Sequence, residues 1–203
     1  MKTLIKSSSA ALPGELTLTR ARYARYFGQS AVDRWLYRFC ACLPWAARHV
    51  PVIGWRVFHW TRAREHLRHG CLNPAVVLDP SRGLVPVFTD LTAQGERPAP
   101  VVKVLRERLE LIPAERVTKG ARFAAAALYS RTEASLAQGR WADFFPIVVD
   151  CLVGDAEACE RATGRIGRLA WKALEIGLLK ANHHGREGLY PVDVPDEIVR
   201  DAY

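Results

Sequence analysis

Apolar and polar positions along the chain change rhythm twice, and each change marks a different kind of element. Between Ala31 and Leu43, the residues Val32, Trp35, Leu36, Phe39, Cys40 and Leu43 recur at three- and four-residue spacing, with Arg34 and Arg38 off the stripe. That spacing predicts a helix with Ser30 as its N-cap, Asp33 in the capping-box position and Pro44 as its end or kink. Pro51 suits the first turn of a second helix, which carries Val52, Trp55, Phe58 and Trp60, enters the basic run "TRAREHLRHG" and stops at Gly70.

After Gly70 the helical period gives way to short apolar or alternating runs. "NPAVVLD", "LVPVFTD", "APVVKVLRERLEL", "ARFAAAALYS" and "FPIVVDC" read as five strands, with "DPSRG" (79–83) as the turn between the first two. Alternation in "LRERLEL" carries the third strand to Leu111, and Pro86 demotes the second to an edge or a strand end. From Asp155 the helical period returns, with Leu169, Ala170, Ala173, Leu174, Gly177 and Leu178 on one stripe and Asn182 and Gly185 as closing residues. The ends look looser: a leader with the run Ser7–Ser9 and Pro13–Gly14, and an acidic, proline-punctuated tail "YPVDVPDEIVRDAY" draped over the surface. The predicted fold class is therefore α+β: two N-terminal helices, a small antiparallel sheet or barrel of OB or SH3-like size, and two C-terminal helices. The corresponding segments are a leader 1–29, a basic Trp-rich helical pair 30–70, a β domain with C-terminal helices 71–182, and a tail 183–203.

Charge sharpens this picture. Residues 1–70 hold 12 Lys/Arg against 3 Asp/Glu, whereas residues 71–203 hold 17 against 18, so the net +8 resides in the first third. Four of the six tryptophans lie there too. A basic, aromatic segment of this kind fits an acidic partner: a protein face, a phospholipid surface or a nucleic acid. The five cysteines, Cys40, Cys42, Cys71, Cys151 and Cys159, are odd in number and scattered, and the leader lacks the apolar core of a signal peptide. Both features lead us to expect a cytoplasmic chain, with attachment at the inner membrane surface as the alternative.

Several motifs beyond residue 70 resemble an uncharacterised bacterial domain family. They are an Asn-Pro-Ala-x-Val start (Asn73, Pro74, Ala75, Val77), a Thr-Asp-Leu after the next strand (Thr89, Asp90, Leu91) and a Trp-x-x-Phe-x-Pro segment (Trp141, Phe144, Pro146). The resemblance spans about residues 70–180 and implies a shared fold without a known activity. It carries no functional residues across. Some similar proteins place a hydrophobic, membrane-associated segment ahead of the Asn-Pro motif.

Candidate chemistry is sparse. Residues 31–60 cannot form a spanning hairpin by the usual rule of about 20 apolar residues, because the longest runs without Lys, Arg, Asp or Glu are 39–47 and 49–55. An interfacial hairpin stays open, with arginines snorkelling beside tryptophans. No metal site is expected, since Cys40-x-Cys42, Cys151…Cys159 and His183–His184 lack the spacing of a zinc centre. No catalytic residue is assigned either, because nucleophile-elbow, phosphate-loop, zincin and dinucleotide signatures are missing. Asp150, Cys151, Asp155, Glu157 and Cys159 form the densest reactive set, where capping and core packing account for them. The expectation is a non-enzymatic binding module without a cofactor, docking a protein partner through Arg34, Trp35, Arg38, Trp45, Arg48, Trp55 and Arg56. The alternative is a nucleic-acid binder using Arg161, Gly164, Arg165, Gly167, Arg168 and Lys172 around a Gly-x-x-Gly loop. An anionic membrane surface is the third candidate partner.

Overall fold

A computed structural model describes residues 3–5, 12–28, 51–94 and 97–202, with side chains of the long N-terminal helix described from Trp60 onward. Among these residues the order is β1 (Thr3–Ile5), α1 (Arg20–Tyr26), α2 (Pro51–His69), β2 (Cys71–Val76), β3 (Leu84–Asp90), β4 (Pro100–Arg106) and β5 (Arg122–Arg131). There follow α3 (Glu133–Ala137), β6 (Asp143–Val148), α4 (Val149–Leu152), α5 (Ala156–Gly164), α6 (Arg168–Lys180), β7 (Gly188–Pro191) and α7 (Asp196–Arg200). The fold is α+β, as the periodicities predict. Its strands make one curled antiparallel sheet, a half-barrel, in the order β6-β5-β2-β3-β4-β7, with β1 extending the β2 side of β5.

Strand alternation sorts the apolar residues into two cores. On one face Leu72, Phe88, Val102, Val104, Ala124 and Ala126 meet Ala63 and Leu67 of α2, Cys159 and Ala162 of α5, and Trp171 and Leu174 of α6. On the other face the sheet curls over Ala75, Val85, Val87, Phe123, Ala125, Tyr129 and Phe144, closed by Leu109 and Ile112 from the loop after β4. The alanine run of β5 is buried on both sides, which explains its lack of a polar face. Lys103 of β4 reaches across the half-barrel to β6, donating to Asp143 Oδ1 at 2.9 Å and to the Phe144 carbonyl at 2.6 Å.

Four details differ from the sequence expectations. The third strand ends at Arg106, not Leu111, because Leu109 turns inward through a 3-10 turn at Leu109–Leu111. Cys151 lies in the helical turn α4 rather than on a strand. Both ends that looked loose are anchored, which is the third difference: β7 pairs with β4, and Val194 and Val199 are core residues. Residues 12–27 likewise belong to the body, since Leu18, Tyr23 and Ala24 are buried.

Pro86 is the fourth. Its strand is interior, between β2 and β4, rather than an edge. Val77 bonds through both its N–H and its C=O to the β5 side, so the alternating Pro74 and Val76 face β3. The register Ala75↔Val87 then sets Pro74 opposite Phe88 and Val76 opposite Pro86. Each proline removes one donor from the same seam. The sheet keeps its continuity there by packing.

Candidate functional site

Where the chain leaves the leader it crosses the end of α2 at close range. Gly14, Glu15 and Leu16 donate their N–H groups to the carbonyls of Gly70, Arg68 and Leu67 at 2.9, 3.1 and 3.0 Å. These carbonyls have no partner within the helix, so residues 14–16, with Glu15 at a φ of 56°, cap its C-terminus. Both glycines are required by the approach: a Cβ at Gly14 would lie 2.3 Å from the Leu67 carbonyl oxygen, and one at Gly70 would lie 2.3 Å from that of His66.

Between this segment and α2 lies a cleft of about 980 Å³. Trp60, Arg64 and Arg68 line it at four-residue spacing along α2, with His69 beside them and Arg20 from the start of α1. Arg20, Arg64, Arg68 and His69 are exposed, and Trp60 is half-buried. Tyr23 of α1 holds Trp60 edge-to-face at 4.8 Å between ring centroids. Among the described residues Glu15 is the one acid of the lining, and its carboxylate sits 3.6 Å from Arg165. The inward stripe of α2, Ala63, His66 and Leu67, fixes the helix on β5 and β6. His66 is buried, with Nε2 3.1 Å from the Phe145 carbonyl and Nδ1 3.0 Å from that of Arg62; burial lowers its pKa. The cleft's basic residues come from the run "TRAREHLRHG" and from Arg20, whose charge is plain in the sequence but which no local signal assigns to a site.

Of the expected docking residues, Arg34, Trp35, Arg38, Trp45 and Arg48 lie outside the described residues. Trp55 and Arg56 fall on α2, where only the backbone is described. The Gly-x-x-Gly set sits at the junction of α5 and α6. Gly164 ends α5, Gly167 caps α6, and Ile166 between them is buried. Arg161 pairs with Glu157 at 3.4 Å and Asp155 at 4.0 Å, and Arg165 approaches Glu15 and the Gly14 carbonyl. Arg168 and Lys172 are exposed. Acids thus interrupt the positive track between this junction and the cleft. A strand, β7, follows α6 at the opposite end of the sheet from β6.

The corner at 150–159 packs buried titratable groups against Glu107 and Tyr26. Asp155 caps α5, accepting from the Ala158 N–H at 3.1 Å, which is the role expected of an acid there. Asp150 is 2% exposed, with Arg116 Nη2 2.8 Å from its Oδ1. The pair is close but off-line, since neither carboxylate oxygen has an aligned hydrogen bond. Burial raises the Asp150 pKa, and Arg116 opposes part of that rise. Glu107, 4% exposed, accepts from the Tyr26 hydroxyl at 2.9 Å and from the Val148 N–H at 3.4 Å. Burial pushes its carboxyl up to about 7. Burial also drives the Cys151 thiol well up, with Glu107 and Asp150 adding to the effect. A fully buried neutral thiol is a core group, not a nucleophile. Nothing local in the sequence marks Glu107 and Tyr26, which stand 81 positions apart.

The motif residues Asn73 and Thr89 meet at the buried Tyr129 hydroxyl, 3.5 and 2.6 Å away, with Trp141 and Phe144 beside the ring. Burial raises the Tyr129 pKa. This cluster joins β2, β3 and β5 inside the half-barrel. Tyr129→Phe should cost about 1–3 kcal/mol by leaving Thr89 and Asn73 under-satisfied, measured as the shift in urea midpoint. An unchanged midpoint would show that the three groups do not depend on each other.

Among the described residues no helix is long and apolar enough to cross a membrane. No curated protein matches the sequence. One solved structure, described as "Crystal structure of a putative membrane protein from Corynebacterium diphtheriae", is similar at 17% identity and a TM-score of 0.49, covering 60% of this chain and 99% of that one. The model of a family described as "Protein of unknown function (DUF3239)" matches residues 59–182, which takes in the end of α2, the strands β2 to β6 and the α5–α6 pair. By that match over more than half its length, the chain belongs to the DUF3239 family.

Proposed function

We propose that the protein is a cytoplasmic binding module that docks an acidic segment of a protein partner in the cleft between α2 and residues 13–20. The reading rests on one observation: exposed Arg20, Arg64, Arg68 and His69 surround the half-buried Trp60 in a single concavity. Arginine forks bind carboxylates in pairs, and a tryptophan held by Tyr23 offers a rigid apolar floor for a neighbouring side chain. A phosphate backbone suits this surface less well. It wants an extended cationic track, and Glu15, Glu157 and Asp155 break the track toward Arg161 and Arg165. No cofactor or reaction enters this reading.

The test is fluorescence anisotropy of the full chain with three probes: a short labelled Glu-rich peptide containing one phenylalanine, a single-stranded oligonucleotide, and vesicles of anionic phospholipid. The peptide is expected to bind, and the double variant Arg64→Glu, Arg68→Glu to lose at least tenfold in affinity. Both positions are exposed, so the fold should tolerate the change. Equal peptide affinity in the two proteins would sink the cleft. Oligonucleotide binding that is tighter than peptide binding and falls steeply with salt would replace this reading with a nucleic-acid one. Preferential binding to the vesicles would replace it with a membrane-surface one.

A further inference from the structure

We propose that the Glu107 carboxyl is a proton-controlled latch on α1, and through α1 a control on the docking cleft; the second half rests on the docking function proposed for that cleft. Helix α1 connects two places. Its first residue, Arg20, lines the cleft, and its Tyr23 packs on Trp60 of the cleft floor. Its last turn is fastened by two consecutive residues at the end of β4. Tyr26 donates its hydroxyl to Glu107, while Arg108 donates from one nitrogen to the carbonyls of Arg25 and Tyr26 at 2.8 and 2.9 Å. Those carbonyls lie in the last turn of the helix, where the Arg25 carbonyl also accepts the Gly28 N–H at 3.1 Å. Apart from this latch, α1 is held by its buried Tyr23 and Ala24, by Thr19, whose N–H donates to the Leu152 carbonyl at 3.1 Å and whose hydroxyl accepts from the Gly154 N–H at 2.8 Å, and by Arg22, which donates to the Asp150 carbonyl at 3.4 Å.

Glu107 is enclosed from every side. Tyr26 faces it from α1, Cys151 stands beside it in α4, and Arg108 follows it in the chain. Around them stand Glu110, Asp150 and Arg22, with Arg116 paired to Asp150. Among these Tyr26 and Cys151 are neutral at pH 7, because burial raises both. Among the described residues the cation next to Glu107 is Arg108, and it is already committed to the α1 carbonyls and to Glu110. Among the described residues an ionised Glu107 therefore meets neutral hydrogen-bond donors, Tyr26 and the Val148 N–H foremost, and no dedicated counter-charge.

The direction of the control follows from linkage. With α1 seated, burial holds the Glu107 carboxyl near 7, against an ordinary 4.5. If α1 lifts, water reaches the carboxyl and its pKa falls toward the ordinary value. Seating thus takes up a proton, is fully favoured below about pH 4.5 and weakens as pH rises to about 7. Above that range no further change is expected. A cell near neutral pH works at the upper edge of this window, where α1, and with it Arg20 at the rim of the cleft, is least firmly held.

Hydrogen exchange of the full chain at pH 5 and pH 8, corrected for intrinsic rates, reads the latch directly. Protection of the α1 amides is expected to fall by up to roughly a hundredfold between the two. In Glu107→Gln the fall should vanish. Tyr26→Phe removes a bond that favours the charged carboxylate, so it should move the transition to higher pH, and it carries the test if the glutamine variant does not fold. A pH-independent α1 in the wild type, or an undiminished fall in Glu107→Gln, overturns the latch. Peptide anisotropy at the same two pH values reads the control, with a larger change in affinity expected in the wild type than in Glu107→Gln, whose own change subtracts the direct response of the cleft and the peptide to pH. If α1 loosens with pH while the peptide binds nowhere, the docking reading fails and the latch stands. An equal change in affinity in the two proteins, with α1 loosening in the wild type, overturns the control alone.

Discussion

Replacing Phe88 by alanine is expected to lower stability by about 3–5 kcal/mol, the range for deleting a fully enclosed phenyl ring. Phe88 is 0% exposed in β3 and packs among Leu72, Val102 and Leu174 beneath α6. Gly177 of α6 seats the helix closely enough that a Cβ there would lie 3.6 Å from the Phe88 ring and 2.9 Å from Val102 Cγ2. The surroundings are strand and helix backbone that cannot collapse into a phenyl-sized void, so the cavity term adds to the lost transfer energy. Position compounds the effect. Phe88 sits opposite Pro74 on the seam where two prolines have removed ladder donors, so packing carries what hydrogen bonds do not. Urea unfolding followed by circular dichroism measures it, with Phe145→Ala at a half-buried site on the edge strand as the comparison. Equal losses at the two positions would mean that the seam is not specially dependent on Phe88.

Arg116→Ala should cost about 3 kcal/mol at pH 8 and clearly less at pH 5. Asp150 is almost fully enclosed, and among the described residues Arg116 is the guanidinium within ion-pair distance of its carboxylate. Removing that charge leaves the carboxylate to the weaker influence of Arg22, and burial then raises its pKa further. Stability should consequently fall more steeply with rising pH in the variant than in the wild type, and acid should restore part of it by protonating Asp150. Adding Asp150→Asn to the variant should recover part of the loss at pH 8. A loss that is the same at both pH values would assign Arg116 a packing role through its contact with the Phe123 ring, 5.7 Å away, rather than an electrostatic one.

The half-barrel was legible because each strand alternates or is apolar on both sides, and periodicity is a local property. The five expected strands are present, and α2 begins at Pro51 and ends before Gly70 as its proline and glycine indicate. The failures share a cause. Leu109 and Leu111 alternate as a strand would, but Leu109 closes the second core, and the chain turns to bring it there. Pro86 looks like an edge residue because a proline lacks a donor, yet a neighbour with its own proline tolerates that loss inside the sheet. The strand at Gly188–Pro191 was hidden by its shortness and by the glycine and proline at its ends.

The candidate site was only half legible. Composition alone located the basic, aromatic character in the first third, because charge and aromaticity are sums over residues. Local order alone determined α2, its Trp60, Arg64 and Arg68 at helical spacing, and the Asp155 cap. Which cations share a concavity depended on residues 13–20 crossing the end of α2, a contact set by Gly14 and Gly70 on stretches of chain far apart in sequence. Likewise Glu107 is an ordinary acid in an alternating run until Tyr26 and Val148 close over it, and its pKa is then fixed by burial. Secondary structure and charge balance come from neighbours along the chain; enclosure, pairing and proton affinity come from neighbours in space, and those the fold alone supplied.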